Sequence, residues 1–213
     1  MRILNLSHPL KSGMPLFPGT KEVTVADVNT IKADGFRQKY LSLSSHVGTH
    51  VDAPAHVLAD GMFLDQLPLD QFYGLATVLD ASSTALLPIP LAVLSALDKA
   101  PPVDFVLFYT GWQKHWDDGS YYGNGAPYLS EPLAKALAAR GLKGVGLDAP
   151  SADAIDSTEL PVHRILFRRS MIIIENLIHL KELCGKYFTL SVFPLNIPEG
   201  DGSPLRAVAI LDE

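Results

Sequence analysis

Ser45-His46-Val47-Gly48-Thr49-His50-Val51-Asp52-Ala53-Pro54-Ala55-His56 holds three of the chain's seven histidines, with an aspartate among them. An even spread would place fewer than one histidine between His46 and His56. Neutral imidazole nitrogen together with carboxylate oxygen is a ligand set that suits Zn²⁺, and also Mn²⁺ or Fe²⁺. Backbone geometry decides whether these side chains can converge. On a helix His46 and His50 share a face, but Asp52 points away, and Gly48, Thr49, Val51 and Pro54 all oppose helix. On a strand, positions 46, 50 and 52 share parity and face one side. A straight strand, however, separates His46 from His50 by about 13 Å, too far for one ion. The strand must therefore bend at Gly48-Thr49, where glycine permits the turn and leaves room for an ion. Pro54 then ends the strand and turns His56 towards the same cavity. A solvated polar strand explains one histidine well; three with an aspartate of matching parity favour a metal site.

Working outward, apolar stretches predict strands at Arg2–Leu6, Lys21–Val28, Arg37–Ser44, Ala76–Asp80, Phe105–Thr110, Gly144–Asp148, Met171–Glu175, Tyr187–Pro194 and Ala207–Asp212. Helical patterns appear at Leu91–Leu97, Glu131–Arg140, Val162–Arg168 and Asn176–Leu183. The second is the clearest, with Ser130 as N-cap, Pro132 in the first turn and Gly141 as the stop. Strands come first, then alternate with helices, then return, which predicts a mixed, β-rich α/β fold. Sixteen Gly and sixteen Pro are spread along the whole length, and no linker or repeat divides it, so one domain is expected over residues 1–213. Gly141-Leu142-Lys143-Gly144-Val145-Gly146 leads from helix into strand, the reverse of a nucleotide loop.

Composition excludes several classes. Apolar residues make up 47% of the 213, enough to bury a sizeable core. Seventeen Lys plus Arg against 23 Asp plus Glu give a net charge of −6, which argues against a nucleic-acid partner. Cys184 stands alone, so there is no internal disulfide or multi-cysteine metal site, and a reducing, cytoplasmic setting is expected. No apolar run approaches the length of a membrane span, and no leader is expected from Met1 to His8. No G-x-S-x-G, S-x-x-K or H-E-x-x-H occurs, which removes serine hydrolases and helix-borne zinc proteases.

A second pair of ligands is suggested by Met171-Ile172-Ile173-Ile174-Glu175, an apolar strand ending in a carboxylate. A buried carboxylate demands a cation or a hydrogen-bonded partner. His163 stands twelve residues earlier; Asn176 or Arg168 would satisfy Glu175 equally well without a metal.

These residues resemble a family. His46 to His56 is similar to the HxGTHxDxPxH motif of the cyclase family of metal-dependent hydrolases, which includes bacterial kynurenine formamidases and isatin hydrolases. Further landmarks follow in family order: Met14-Pro15-Leu16-Phe17-Pro18-Gly19, Thr110-Gly111-Trp112, Gly146-Leu147-Asp148-Ala149-Pro150-Ser151, Ile174-Glu175-Asn176-Leu177 and Gly202-Ser203-Pro204-Leu205-Arg206. The resemblance implies a swivelling β/β/α domain, assembled as a homodimer or larger homo-oligomer. It implies that His46, His50 and Asp52 bind one divalent metal, and that Asp52 is shared with a second ion held by His163 and Glu175. It implies His56 as the catalytic histidine, and Phe17, in the aromatic position of the N-terminal segment, as a substrate contact. One or two ions per subunit are expected, zinc first and manganese second.

The implied activity is cleavage of an amide C–N bond by a metal-activated water, with His56 moving a proton from the water to the leaving amine. Arylformamidase activity on N-formylkynurenine is the first expectation and hydrolysis of an isatin-like lactam the second. A metal-binding protein without catalysis is the rival from another class, and the presence of His56 speaks against it. The substrate is expected to be a small molecule, with neither nucleic acid nor membrane as partner. Six aromatics lie between Tyr109 and Tyr128, either as a lid for a planar substrate or as interface or core. His8, His115 and His179 are expected to be structural. Asp148 is expected to orient a ligand or to form an Asx-turn.

Overall fold

Phe105-Val106-Leu107-Phe108 is apolar at every position, which suits a strand covered on both faces. The computed structural model, which describes residues 1–83, 88–98 and 100–212, buries all four. Phe105 and Leu107 enter one core while Val106 and Phe108 enter another, as the two-residue period of a strand requires.

The strands are β1 (Arg2–Asn5), β2 (Thr24–Asn29), β3 (Gln38–Ser42), β4 (His50–Asp52), β5 (Tyr73–Asp80), β6 (Phe105–Tyr109), β7 (Gly144–Leu147), β8 (Ile172–Glu175), β9 (Tyr187–Ser191), β10 (Gly202–Pro204) and β11 (Val208–Leu211). Three helices are α1 (Ile31–Asp34), α2 (Glu131–Ala138) and α3 (Pro161–Phe167). Among the described residues nine strands form one sheet in the order β1-β11-β9-β5-β6-β7-β8-β4-β10, and β2 pairs with β3 in a separate one. The middle four, β5 to β8, run parallel, and antiparallel strands flank them on both sides. The mixed, β-rich α/β expectation is met.

One face of the parallel strands packs against α2, α3 and the 3₁₀ turns at Leu91–Leu97, through Leu133, Leu137, Leu166 and Leu94. The other face curls around its own core. At the rim the sheet meets itself: Ile178 N–H donates to Leu6 O, Leu205 N–H donates to Thr49 O, and Ser7 forms a bridge with Leu177. β8, β4 and β10 are hydrogen-bonded neighbours, and Glu175 ends β8 at the carboxyl end of the parallel strands, where sheets of this kind place their ligands.

Two helical expectations change. Over Asn176–Leu183 only Leu180–Leu183 wind, as a 3₁₀ turn, because the preceding backbone prolongs the sheet. Asn176, Leu177 and Ile178 N–H donate to Ala149, Leu147 and Leu6 carbonyls, which leaves nothing for a helical ladder. Leu91–Leu97 is helical but 3₁₀, not α. β10 and α1 were not expected. Gly202-Ser203-Pro204 is short and carries a proline, which an edge strand tolerates.

Candidate metal centre

Gly48 makes the expected bend. Its φ of +62° lies in the left-handed region, and an added Cβ would stand 3.0 Å from Leu10 Cδ2 and 3.1 Å from Met14 Cε. Asn176, itself at φ +59°, clamps the turn from the far side: its Nδ2 donates to Gly48 O at 2.7 Å. Thr49 Oγ1 returns a bond to Asn176 O at 2.6 Å. The bend closes the gap that a straight strand would leave, so that His46 Nδ1 lies 2.6 Å from Asp52 Oδ1.

β4 delivers His50 and Asp52 to one face. His50 is the direct cross-strand partner of Glu175 on β8, and their side chains approach to 3.5 Å, Nε2 to Oε2. His163, in the first turn of α3, reaches the same place: its Nε2 is 3.5 Å from Glu175 Oε1 and 3.7 Å from Asp52 Oδ2. Among the described residues three groups of close ligand atoms result: His46–His50–Asp52, Asp52–His163–Glu175 and His46–His56–Asp201. Every metal-ligand candidate named from the sequence lies in the first two. Arg168 and Asn176, the metal-free alternatives for Glu175, do not pair with it; Glu175 Oε1 instead accepts from Ala152 N–H at 2.9 Å.

The outer nitrogens of the histidines fit the needs of a bound cation. His50 Nδ1 donates to Gly48 O at 2.9 Å, and His163 Nδ1 meets Asp153 Oδ2 at 2.7 Å. Each contact holds a proton on the outer nitrogen and turns the Nε2 lone pair inward, the arrangement metal-binding histidines adopt. Asp153 also accepts from the Val162 and His163 backbone N–H groups, so one carboxylate caps α3 and orients its histidine. The donor set, imidazoles with buried carboxylates, suits a divalent metal.

The electrostatics show how much positive charge the cluster demands. Burial opposes charge on His46, yet the Asp52 and Asp201 carboxylates raise it to about 10. Burial likewise opposes charge on Asp52, but His50 and His46 hold it well below the usual carboxylate range. His50 is raised against its burial by Asp52 and Glu175, and His163 against its burial by Asp153, Asp52 and Glu175. His56 differs: burial, reinforced by His46 and His163, lowers it despite Asp52. It is the one imidazole of the group whose surroundings favour the neutral form.

The cluster forms the floor of a cavity of about 490 Å³. Phe17 and Tyr122 line it and meet edge to face at 5.8 Å; Lys21 and Leu160 also line it. The aromatic segment thus divides. Tyr122 faces the cavity, while Trp116 and Tyr121 are buried, Tyr121 donating through its hydroxyl to Asn176 Oδ1 at 2.9 Å. Asp148 accepts from Thr110 Oγ1 and the Thr110 and Gly111 N–H groups, which makes it a loop anchor; burial pushes it up to about 6 against those bonds. His8 stacks on Trp116, His115 bonds to Asp118, and His179 bonds to Asn5 O, in keeping with structural roles.

Sequence reasoning missed Asp153 and Asp201. The clue to Asp153 was Pro161 at the start of a helix whose preceding residue, Leu160, offers no capping oxygen. Nothing local links Asp201 to histidines some 150 positions earlier.

A family model described as "Putative cyclase" matches residues 4–154. A kynurenine formamidase of Salinibacter ruber is 35% identical over 210 residues, covering 98% of this chain and 97% of that protein. A kynurenine formamidase of Geobacillus thermodenitrificans is 30% identical over 205 residues, covering 96% and 95%. Among solved structures, isatin hydrolase A from Labrenzia aggregata bound to benzyl benzoate superposes with a TM-score of 0.89 at 25% identity, covering 100% of this chain and 94% of that one. A structure described as a potential metal-dependent hydrolase with cyclase activity gives 0.79 at 25% identity, covering 98% and 96%. With its sequence matched over most of its length and its fold reproduced throughout, the chain belongs to the cyclase family of metal-dependent hydrolases.

Proposed function

We propose that the chain hydrolyses the C–N bond of a non-peptide amide, and that it acts as an arylformamidase converting N-formylkynurenine to kynurenine and formate. The observation that carries this reading is the pair of ligand triads sharing Asp52, with His56 beside them on the floor of one cavity. A divalent metal in these triads supplies Lewis acidity, which lowers the pKa of a bound water towards 7 and polarises a carbonyl.

The chain's own residues do the rest. His46, His50 and Asp52 would hold one ion, and Asp52, His163 and Glu175 a second. His56, kept neutral by its surroundings, takes the proton of the attacking water and returns it to the amine nitrogen as the C–N bond breaks. Phe17 and Tyr122 flank the aryl ring of the substrate. Lys21, with no carboxylate on its ammonium among the described residues, faces the substrate's amino-acid carboxylate. Zinc is the favoured metal and manganese the second. Relatives named kynurenine formamidases support the substrate assignment.

A lactam such as isatin calls for the same chemistry with the leaving amine still tethered, and the close superposition on isatin hydrolase A supports it as the second reading. The test is hydrolysis of formanilide, N-formylkynurenine and isatin by metal-analysed protein, before and after chelation and refilling with zinc or manganese. N-formylkynurenine turnover lost on chelation and restored by refilling is the expected result. Stoichiometric metal with no turnover of any of the three would return the chain to a binding role.

We also infer a homodimer or larger homo-oligomer. The β2–β3 hairpin exposes Val28, Ile31, Phe36, Tyr40 and Leu41, apolar surface that a second copy would cover. The lone, half-buried Cys184 supports a reducing, cytoplasmic setting. No helix among the described residues is long and apolar enough to cross a membrane.

A further inference from the structure

We propose that Asp201 is a positioning residue that ties the metal-facing His46 to the proton-carrying His56, so that one carboxylate orients both rings. The proposal rests on the reading of His46 as a ligand and His56 as the proton carrier.

Three observations carry it. His46 Nδ1 faces Asp52 Oδ1 at 2.6 Å, so Nε2 is the outer nitrogen, and Asp201 Oδ2 meets it at 2.9 Å. His50 and His163 have their outer nitrogens engaged by Gly48 O and Asp153, so Asp201 completes the set for the third histidine. The same Oδ2 stands 3.6 Å from His56 Nδ1, and the His46 and His56 rings lie 4.0 Å apart, tilted by 33°. At that distance the carboxylate does not bond to the ring but faces Nδ1, which favours the tautomer with the proton on Nδ1 and the lone pair on Nε2. Neither Gly48 nor Asp153 serves two histidines in this way.

The backbone explains how Asp201 keeps its place. Ala53 N–H donates to Asp201 O at 2.9 Å, and Gly202 is the cross-strand partner of Asp52. The carboxylate is therefore anchored to the short stretch that links Asp52 to His56. Gly202 makes the approach possible: a Cβ there would lie 2.4 Å from His46 Cε1. The Asp-Gly pair grips the imidazole by its edge and leaves space for its face. Asp201 also bonds to Ser45, which offers a purely structural role as the competing account.

The experiment compares Asp201→Asn, Asp201→Glu and Ser45→Ala with the unaltered protein. Zinc affinity is measured by competition with a chromophoric chelator, and formanilide kinetics at saturating zinc. Asp201→Asn is expected to weaken zinc binding by about 10- to 100-fold and, once zinc is saturating, to lower kcat by about tenfold or more with KM unchanged. Asp201→Glu recovers part of both, and Ser45→Ala leaves zinc affinity within about twofold, well short of the tenfold that loss of an outer partner costs. In a His56→Ala background, Asp201→Asn should cost no further kcat at saturating zinc. Unchanged zinc affinity and kcat in Asp201→Asn, or a loss reproduced in full by Ser45→Ala, would overturn the proposal. If the unaltered protein cleaves none of formanilide, N-formylkynurenine and isatin, the reading of function fails, and the zinc titration alone then decides the role at His46.

Discussion

His50 and Glu175 face each other directly across the antiparallel pair of β4 and β8, and their side chains meet at 3.5 Å over the shared carboxylate of Asp52. Two segments far apart in sequence are thus held in register by backbone hydrogen bonds alone. Much of the cost of gathering the ligands is met by folding, which is what makes a preorganised centre bind tightly.

Asp52→Ala leaves both triads one ligand short. It is expected to weaken metal binding by about 100-fold or more and to abolish turnover with it. Metal analysis after gel filtration and a formanilide assay on the same sample check both losses together.

His56→Ala separates chemistry from binding. Metal content should match the unaltered protein, while kcat falls by about 10²- to 10⁴-fold, the usual contribution of a positioned acid–base group. Loss of metal in this variant would make His56 a ligand and remove its assigned role.

Gly48→Ala tests the bend. A side chain at φ +62° costs about 1–2 kcal/mol, and its Cβ crowds Leu10 and Met14. For a chain of this size that lowers Tm by about 2–8 °C, and zinc affinity should fall as well because His46 is carried by the same turn. Thermal unfolding and chelator competition read the two effects.

The charges of the cluster couple stability to pH when no metal is bound. His46 is raised from 6.5 to about 10, so its contribution to stability is complete below pH 6.5 and is lost as pH rises towards 10. Asp52 is lowered, so its contribution is present above the ordinary carboxylate range and lost only in acid. The chelated protein is therefore expected to lose Tm steadily between about pH 6.5 and 10, whereas the zinc-loaded protein should show a flatter profile. Zinc binding at pH 7 should also release protons, detectable as a buffer-dependent heat in calorimetry.

Lys21→Ala separates the substrates. Loss of one exposed ion pair, worth up to about 1 kcal/mol, should raise KM for N-formylkynurenine by about fivefold. Formanilide, which has no carboxylate, should be unaffected. Equal changes for both would assign Lys21 to the scaffold.

The centre was legible because its chemistry is local. His46, Gly48, His50, Asp52 and His56 lie in one short segment, where strand parity, a glycine bend and a proline stop can be read from spacing alone. His163 and Glu175 needed the family resemblance, since their proximity depends on α3 folding back over β8. The parallel strands were equally plain from their unbroken apolar runs. What escaped the reading depends on distant pairings. The backbone after Glu175 looks helical until Ala149, Leu147 and Leu6 offer it sheet partners. β10 exists as a strand only because β4 is there to pair with it. Asp153 and Asp201 acquire meaning only once the curl of the sheet sets them against histidines.

Asp52 presents Oδ1 to His46 and His50, at 2.6 and 3.2 Å, and Oδ2 to His163 at 3.7 Å. A single carboxylate thus belongs to both triads, so two ions bound there would not fill independently. An ion in either one alters the charge and the orientation that the other receives, and the influence must be equal in both directions. Were both triads to take metal, stoichiometry would become a function of free metal concentration, and the number of bound ions would follow the supply of metal around the protein.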